Sequence, residues 1–202
     1  MLFFFCIVSA GDAINKLNYP YGVALNPILN ELYLADKDNH RIISFAFNNT
    51  NGTVMFGGNG PGYNNTQLRY PTCVYFDSFS NNWVVCNTEA HNVVQFTAYV
   101  NMWTIVAGNI NGSVGTTSTE FYTPFKLTFD PMGNMYVADC NNHRIQFFNA
   151  NQKNGITIAG FSGISGSNAT TLYRPRSARL DNQLNLYVAD SQNHLIQKFL
   201  RY

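Results

Sequence analysis

The stretch Met135–Gln146, MYVADCNNHRIQ, determines the fold because the chain contains it four times in related form. The other copies are LYLADKDNHRII from Leu32, WVVCNTEAHNVV from Trp83 and LYVADSQNHLIQ from Leu186. The four histidines of the chain all fall in these copies, and four prolines keep the same step of about 51 residues. Matching text and a period shared by two residue types indicate tandem structural repeats.

Each repeat is predicted to form four short antiparallel β-strands. In the third copy, residues 125–130 (FKLTFD) alternate between apolar and polar side chains and are followed by the turn sequence PMGN. The strands MYVAD and HRIQFFN follow, and GITIA supplies a fourth after a further turn. Helical periodicity is absent. Four short strands in a repeat of this length are typical of one propeller blade, so we expect an all-β fold, a β-propeller of four four-stranded blades.

The order Pro, apolar strand ending in Asp or Asn, turn and YVAD-x-x-NHRI resembles the NHL repeat, whose triplet stands here as Asn193-His194-Leu195. The resemblance covers residues 18–202 and implies repeats at 18–66, 67–119, 120–170 and 171–202. The second copy departs from the pattern, with Asn87 in place of Asp and Ala90 in place of Asn.

The two ends of the chain leave alternatives open. The fourth copy stops after its third strand, whereas residues 1–11 contain the apolar run LFFFCIV and end in IVSAG. We expect either a strand that completes the fourth blade or a clipped signal segment. The repeats in 12–202 then form either a closed four-blade ring or an open arc of a larger propeller.

The residues of the repeated motif are expected to be structural. Histidine opens the third strand of each blade, so opposite copies lie about 20 Å apart, whereas zinc needs ligands about 2 Å from one point. Aspartate at the end of the second strand accepts backbone N–H bonds in tight turns and can pair with the nearby arginine. We therefore predict no metal and no cofactor, with calcium at the aspartates as the alternative. The residues with this structural role are Asp36, His40, Arg41, His91, Asp139, His143, Arg144, Asp190 and His194.

Cysteines in the second copy predict a disulfide. In the expected antiparallel register Cys73 faces Cys86, and the equivalent pairs of the other copies contain no cysteine. A bond would indicate an oxidising compartment, extracellular or in the secretory pathway; two reduced buried thiols are the alternative. Acceptor sequences for glycosylation, compatible with secretion, occur at Asn48, Asn51, Asn64, Asn111 and Asn168.

Composition limits the function. Charged residues make up 11% of the chain and the net charge is +1, which gives no strongly basic footprint for nucleic acid. Tyrosines and basic residues around the prolines fall on loops of one propeller face, where they either bind a partner or pack between blades. The predicted partner-binding residues are Tyr70, Tyr122, Tyr173, Arg69, Lys126, Arg174 and Arg176.

The leading hypothesis is a non-enzymatic scaffold for a protein or other macromolecule. One alternative is a hydrolase or lyase, because some propellers that this chain resembles hold a metal centre with histidines of the central channel. All four histidines here belong to the repeated motif, which disfavours that alternative. The other alternative is binding of single-stranded RNA by stacked aromatic and basic side chains. The sequence contains no run of about 20 apolar residues, so it predicts no transmembrane span.

Overall fold

The computed structural model describes residues 9–97, 100 and 102–201. The chain divides into two compact units, unit 1 with Met1–Ala90 and Val94–Thr104, and unit 2 with His91–Val93 and Ile105–Tyr202. The described secondary structure is β-strand with single turns of 3-10 helix, and the predicted β-propeller blades are confirmed. No helix in this part of the chain is long and apolar enough to cross a membrane.

The first two sheets are antiparallel, with their strands in chain order. The first sheet consists of β1 (Pro20–Asn26), β2 (Glu31–Asp36), β3 (Arg41–Phe45) and β4 (Thr53–Gly57). The second consists of β5 (Pro71–Asp77), β6 (Asn82–Asn87), β7 (Asn92–Thr97) and β8 (Thr104–Gly108). The boundary between the two units passes through β7 and β8.

The third and fourth sheets lie in unit 2 and repeat this meander. The third sheet consists of β9 (Pro124–Phe129), β10 (Met135–Asp139), β11 (Arg144–Phe148) and β12 (Ile156–Gly160). The fourth consists of β13 (Pro175–Leu180), β14 (Leu186–Asp190) and β15 (Leu195–Phe199). A single 3-10 turn joins the second and third strands of every sheet, which is where the sequence motif places its histidine.

The turn between the first two strands of a blade is fixed by its own side chains. Asp130 accepts the N–H of Asn134 at 2.9 Å, and Asp181 accepts the N–H of Asn185 at the same distance. A short carboxylate that accepts nearby backbone N–H groups stabilises a tight turn. This is why the sequence PMGN after the third copy's first strand ends that strand and begins a hairpin.

In unit 1 the second blade packs on the first through its leading strand, because β5 lies against β1, β2 and β3. A side chain at Gly22 would place its Cβ 2.8 Å from the Cα of Cys73, so the close approach of β1 and β5 requires glycine there. Aromatic rings fill the remaining space. Phe56 stacks on Phe96 with 3.8 Å between ring centroids.

In unit 2 the fourth blade packs on the third in the same way, with β13 against β9, β10 and β11. Ile145 of β11 belongs to one buried cluster with Leu172, Ala178 and Val188 of the fourth repeat. The first strand of each following repeat in a unit therefore covers the apolar face of the repeat before it. Burial of these aliphatic side chains is the main stabilising term, about 25 cal/mol for each Å² of apolar surface removed from water.

Residues 1–8 lie outside the described residues, so the expectation that this segment forms a strand or a clipped signal stays a prediction. Gly11 is described, and its N–H donates to the carbonyl of Leu17 at 3.1 Å. Gly115 and Gly166 donate in the same way to Phe121 and Leu172. Gly11 therefore belongs to the loop that precedes the first strand of a blade.

Candidate functional site

Asp139, at the end of β10, accepts hydrogen bonds from three donors. The backbone N–H of Tyr122, Nδ2 of Asn142 and Nε of Arg144 each lie 2.8 Å from its carboxylate oxygens. Asp139 and Arg144 are both buried. Burial raises the pKa of Asp139 to about 6. The charge of Arg144 and the hydrogen bonds from Asn142 and Tyr122 act in the opposite direction and lower this pKa. A buried pair of this kind cannot lose one partner without leaving an uncompensated charge.

Arg144 also holds the loop that leads into its blade. Its Nη1 donates to the carbonyl of Thr116 at 2.8 Å, and its Nη2 donates to the carbonyls of Thr117 and Glu120 at 2.9 Å. The planar guanidinium, with five donors in a fixed fork, suits this task. One side chain thus ties the turn after β10 to three positions of the loop.

The first repeat has the same network. Asp36 accepts hydrogen bonds from the N–H of Asn18, from Asn39 and from Arg41. The guanidinium of Arg41 donates to the loop carbonyls of Asp12, Ala13 and Lys16. The fourth repeat keeps the aspartate, Asp190, but has Leu195 in the arginine position, and Gln197 donates to the carboxylate instead at 2.9 Å.

The second repeat replaces the charged residues by neutral ones. Asn87 accepts the N–H of Arg69 at 2.6 Å, as the aspartates of the other repeats do for the equivalent residue. Asn92 stands in the arginine position, and among the described residues its side chain donates to one carbonyl, that of Asn109, at 3.0 Å. Among the described residues, Nδ2 of Asn87 and Oδ1 of Asn92 are buried without a hydrogen-bond partner.

Three motif histidines, His40, His91 and His143, connect one repeat to the next. All four motif histidines, including His194, adopt the left-handed conformation, with φ between 54° and 58°. The Nδ1 atoms of His40, His91 and His143 accept the backbone N–H groups of Tyr70, Thr123 and Arg174, respectively, at 3.2 Å. These donors all precede the proline that opens the next blade. Burial lowers the pKa of His40 and of His143, which agrees with an unprotonated Nδ1 that accepts a hydrogen bond.

Each bridging histidine lies at a different repeat junction. No group of three His, Cys, Asp or Glu side chains suited to a metal ion occurs in residues 9–97, 100 and 102–201. The absence of a metal and the absence of a cofactor both stay predictions.

In unit 2 four of the predicted partner-binding residues are solvent-exposed beside these bridges. Tyr122 contacts the ring of His91 edge-on at 5.6 Å, and Tyr173 contacts the ring of His143 at 5.5 Å. Both tyrosine side chains are also exposed to solvent, so each one packs against a histidine ring and remains accessible. We call Tyr122, Tyr173, Arg174 and Arg176 the basic aromatic rim.

The two arginines of the rim lie near Cys140. Burial raises the pKa of the Cys140 thiol to about 11, and the positive charges of Arg176 and Arg174 lower it. The guanidinium of Arg176 lies 5.2 Å from the ring centre of Phe125. Both arginines are exposed, and neither forms an ion pair with any residue that the structure describes.

The remaining predicted residues are placed differently. In unit 1, Tyr70 contacts the ring of His40 at 4.4 Å, and the Nζ atom of Lys37 lies 4.9 Å from the Tyr70 ring centre. Arg69 donates to the Tyr63 hydroxyl at 2.7 Å. Lys126 is half-buried on β9 opposite Ala138 and takes part in none of these contacts.

Sequence reasoning missed Lys37 and Tyr63. Lys37 directly follows Asp36, in a turn on the propeller face that the sequence predicts to bind a partner. Its position in the repeat could therefore have placed it near the predicted tyrosines. Tyr63 lies in the variable loop before the second blade, where the repeat offers no template.

Cys73 and Cys86 face each other across β5 and β6, as the register predicted, and both are buried. A covalent bond between them is not shown and stays a prediction. The five glycosylation acceptors are all exposed, and their modification also stays a prediction.

The family profile described as NHL repeat matches residues 121–148 and 172–199. This chain carries NHL repeats. Each matched segment begins three residues before the first strand of the third or fourth blade, ends with the third strand of that blade, and so includes the motif aspartate and histidine. The resemblance drawn from the repeated text is confirmed.

A curated relative is Protein SUPPRESSOR OF QUENCHING 1, chloroplastic, of Arabidopsis thaliana. It is 25% identical to this chain over 209 residues, which is 90% of this chain and 20% of that protein. The NHL-repeat chain thus spans only a fraction of the relative's length.

Solved structures with the same fold include binding proteins and enzymes. An auxiliary nutrient binding protein from Bacteroides thetaiotaomicron has a TM-score of 0.69 and 17% identity, over 88% of this chain and 46% of that chain. A gluconolactonase from Xanthomonas campestris has a TM-score of 0.70 and 12% identity, over 94% and 60%. Inactive virginiamycin B lyase from Staphylococcus aureus has a TM-score of 0.61 and 15% identity, over 90% and 52%. These identities show the fold alone.

Proposed function

We propose that the chain is a non-enzymatic scaffold whose basic aromatic rim binds an acidic segment of a partner protein. The observation that carries this proposal is the rim itself, in which exposed tyrosine and arginine side chains project from a backbone that the repeat motif holds in place. Tyrosine and arginine are among the residue types that most often dominate interface energetics.

The rim backbone is fixed at consecutive residues. The N–H of Tyr173 donates to Asp190 at 2.6 Å, and the N–H of Arg174 donates to Nδ1 of His143 at 3.2 Å. Arg174 has a φ of 50°, which these bonds help to maintain. A surface held in its binding conformation before the partner arrives loses less entropy on association.

The chemistry of the rim favours carboxylates. A guanidinium offers paired donors that match a carboxylate in a bidentate geometry. Arg174 and Arg176 have no acidic partner in the described part of the chain. An Asp- or Glu-rich protein segment therefore supplies what the two arginines lack, and the neighbouring tyrosines supply apolar contact area.

Support for a non-enzymatic role comes from the histidines. Nδ1 of His40, of His91 and of His143 is occupied by a backbone N–H of the next repeat, so these rings serve the framework. The solved neighbours include a lactonase and a lyase as well as binding proteins, and the shared fold does not choose among them. RNA binding is disfavoured by the net charge of +1.

The proposal includes an extracellular or secretory location. A facing pair of cysteines and exposed glycosylation acceptors are both compatible with an oxidising compartment. Detection of the glycosylated chain in the culture medium of secreting cells supports this location, and exclusive recovery from the cytosol contradicts it.

The test compares two double variants that change the net charge equally. Arg174→Glu with Arg176→Glu reverses the charge of the rim, and Lys153→Glu with Arg201→Glu does so at exposed positions outside it. The probe is a fluorescein-labelled Asp/Glu-rich peptide, and its binding is followed by anisotropy at low and physiological salt. We expect the rim variant to lose about tenfold or more in affinity, because two charge-assisted contacts become repulsive. The control variant should lose much less.

Thermal melts of both variants establish that they fold. A folded rim variant that binds the peptide like the wild type contradicts the proposal. Tighter binding of an oligouridine than of the peptide favours the RNA alternative instead. Turnover of a lactone, ester or amide substrate by the wild-type chain favours an enzyme.

A further inference from the structure

The 3-10 turn of the first repeat places one ammonium group among three tyrosine rings. The Nζ atom of Lys37 lies 4.9 Å from the ring centre of Tyr70, 5.8 Å from that of Tyr21 and 5.9 Å from that of Tyr19. The same nitrogen lies 2.8 Å from Oδ1 of Asp38. All five residues belong to unit 1. We call Tyr19, Tyr21, Tyr70 and Asp38 the tyrosine site.

The framework of the blade does not require this arrangement. Every repeat has the same 3-10 turn, but the residues that stand in the place of Lys37 are short: Thr88, Cys140 and Ser191. The residues that follow the other three prolines, in the place of Tyr21, vary in kind: Thr72, Phe125 and Arg176. The tyrosine rings therefore meet a cation in the first repeat at positions where the fold accepts other side chains.

Lys37 is held loosely enough to leave the tyrosine site. Its side chain is 26% exposed, and that of Asp38 is 28% exposed. An ion pair that water reaches contributes little to stability, because solvent screens it and competes for both charges. A cation from solution can therefore replace the Lys37 ammonium while the turn keeps its backbone.

The ring distances favour a methylated cation. A methyl carbon packs about 3.5–4 Å from the carbons of a ring, and a C–N single bond adds about 1.5 Å. The nitrogen of a trimethylammonium group that touches several rings thus lies about 5–5.5 Å from them. The distances from Nζ of Lys37, 4.9 to 5.9 Å, span this value. Methyl groups would fill the gap that a bare ammonium leaves at the two more distant rings.

We infer that the tyrosine site binds the quaternary ammonium group of a ligand in place of the Lys37 ammonium. The rings attract the methylated cation through their negative faces, which is the established use of aromatic cages, and Asp38 balances its charge. Lys37 acts as a tethered competitor that occupies the site when the ligand is absent. Free choline and a trimethylated lysine side chain share this chemistry. The inference does not depend on the acidic partner proposed for the basic aromatic rim.

The test titrates the full chain with choline and follows the tyrosine ring resonances by NMR. We expect the wild type to bind choline, and Lys37→Ala to bind it about tenfold more tightly, because the competitor no longer reduces the competent fraction. The neutral tert-butyl analogue of choline, in which carbon replaces the nitrogen, has the same shape without the charge. It should bind both proteins more weakly, because the rings attract the cation electrostatically.

Three further substitutions in the Lys37→Ala background locate the binding. Tyr21→Leu removes one ring and should weaken choline binding about threefold or more, whereas Tyr21→Phe keeps the ring face and should retain most of the affinity. Tyr63→Leu is the matched control, because Tyr63 is an exposed tyrosine of unit 1 outside the tyrosine site. Thermal melts establish that each variant is folded.

A peptide that contains trimethyl-lysine is titrated in parallel with choline, and the tighter of the two identifies the source of the quaternary ammonium. The inference is overturned if folded Lys37→Ala binds neither probe. It is also overturned if the neutral analogue binds as tightly as choline, or if Tyr21→Leu binds choline as tightly as Tyr63→Leu does.

Discussion

The second and third repeats reach the same blade with different chemistry. The third holds its loop with the buried Asp139–Arg144 pair, whose guanidinium binds three carbonyls. The second has Asn87 and Asn92 at these positions, binds one carbonyl through Asn92 and leaves two buried amide atoms without a partner among the described residues. Strand order and the histidine bridge are the same in both. The ion pair therefore secures the loop, whereas the histidine bridge and the strand pattern specify the blade.

The second repeat differs also in its interior. Cys73 faces Cys86 across β5 and β6, and Trp83 of the same hairpin contacts Tyr33 edge-on at 5.4 Å. Large aromatic side chains bury much apolar area and add about 0.5–1.5 kcal/mol for each well-oriented ring pair. The second repeat thus adds an aromatic contact with the first repeat at a position where the other copies have Leu32, Met135 and Leu186.

The largest expected effect is on the third repeat's ion pair. Arg144→Ala leaves Asp139 buried without its cation, and we expect the free energy of unfolding to fall by about 3–5 kcal/mol. Asp139→Asn with Arg144→Asn installs the pair of the second repeat, and we expect a smaller loss because no charge is left uncompensated. Urea unfolding of the three proteins measures both losses. A double variant less stable than Arg144→Ala would contradict the distinction between the repeats.

The next effect concerns the cysteines that only the second repeat has as a facing pair. We expect Cys73 and Cys86 to form a disulfide that contributes about 3 kcal/mol, the value for a short closed loop. Alkylation of the unfolded chain without reductant, followed by peptide mapping, should label Cys6 and Cys140 and spare this pair. Label on Cys73 or Cys86 before reduction would show that the second repeat relies on packed thiols instead.

A smaller effect separates bridged from unbridged histidines. His143→Gly removes the acceptor of the Arg174 N–H and should cost about 1–3 kcal/mol of unfolding free energy. His194→Gly is the control, because glycine tolerates the same left-handed backbone and His194 accepts no such bond within the described residues. The cost of His194→Gly should stay within about 0.5 kcal/mol. Equal losses would mean that the bridge adds no stability.

The smallest effect is on pH dependence. Burial lowers the pKa of His40 and of His143 below the ordinary value of 6.5, so the folded chain binds fewer protons than the unfolded chain in that window. The stability that these two histidines contribute is therefore present above pH 6.5 and is lost as the pH falls through the lowered values. The raised pKa of Asp139, about 6, acts in the opposite direction, but it is common to the wild type and to His143→Gly. Thermal melts from pH 7.5 to 5 should therefore show the wild type losing stability relative to His143→Gly. A wild type that gains stability relative to the variant on acidification would contradict this expectation.

Much of the blade was predictable because the repeat supplies its own alignment. The facing pairs Cys73/Cys86 and Lys126/Ala138 follow from strand alternation and turn position alone. The three loop carbonyls bound by Arg144 could not be predicted, because that contact depends on the path of a variable loop. The same reason hid the contact of Tyr63 with Arg69. Local pattern determines strands and register, whereas loop contacts depend on the tertiary path.

The central claim is that the motif histidines fix the backbone of the next repeat, including the base of the basic aromatic rim. Amide hydrogen exchange in dilute protein at neutral pH tests it most directly. We predict slow exchange for the N–H groups of Tyr70, Thr123 and Arg174, and fast exchange for that of Tyr19, with His143→Gly releasing Arg174 alone. Exchange at Arg174 as fast as at Tyr19 in the wild type would contradict the claim.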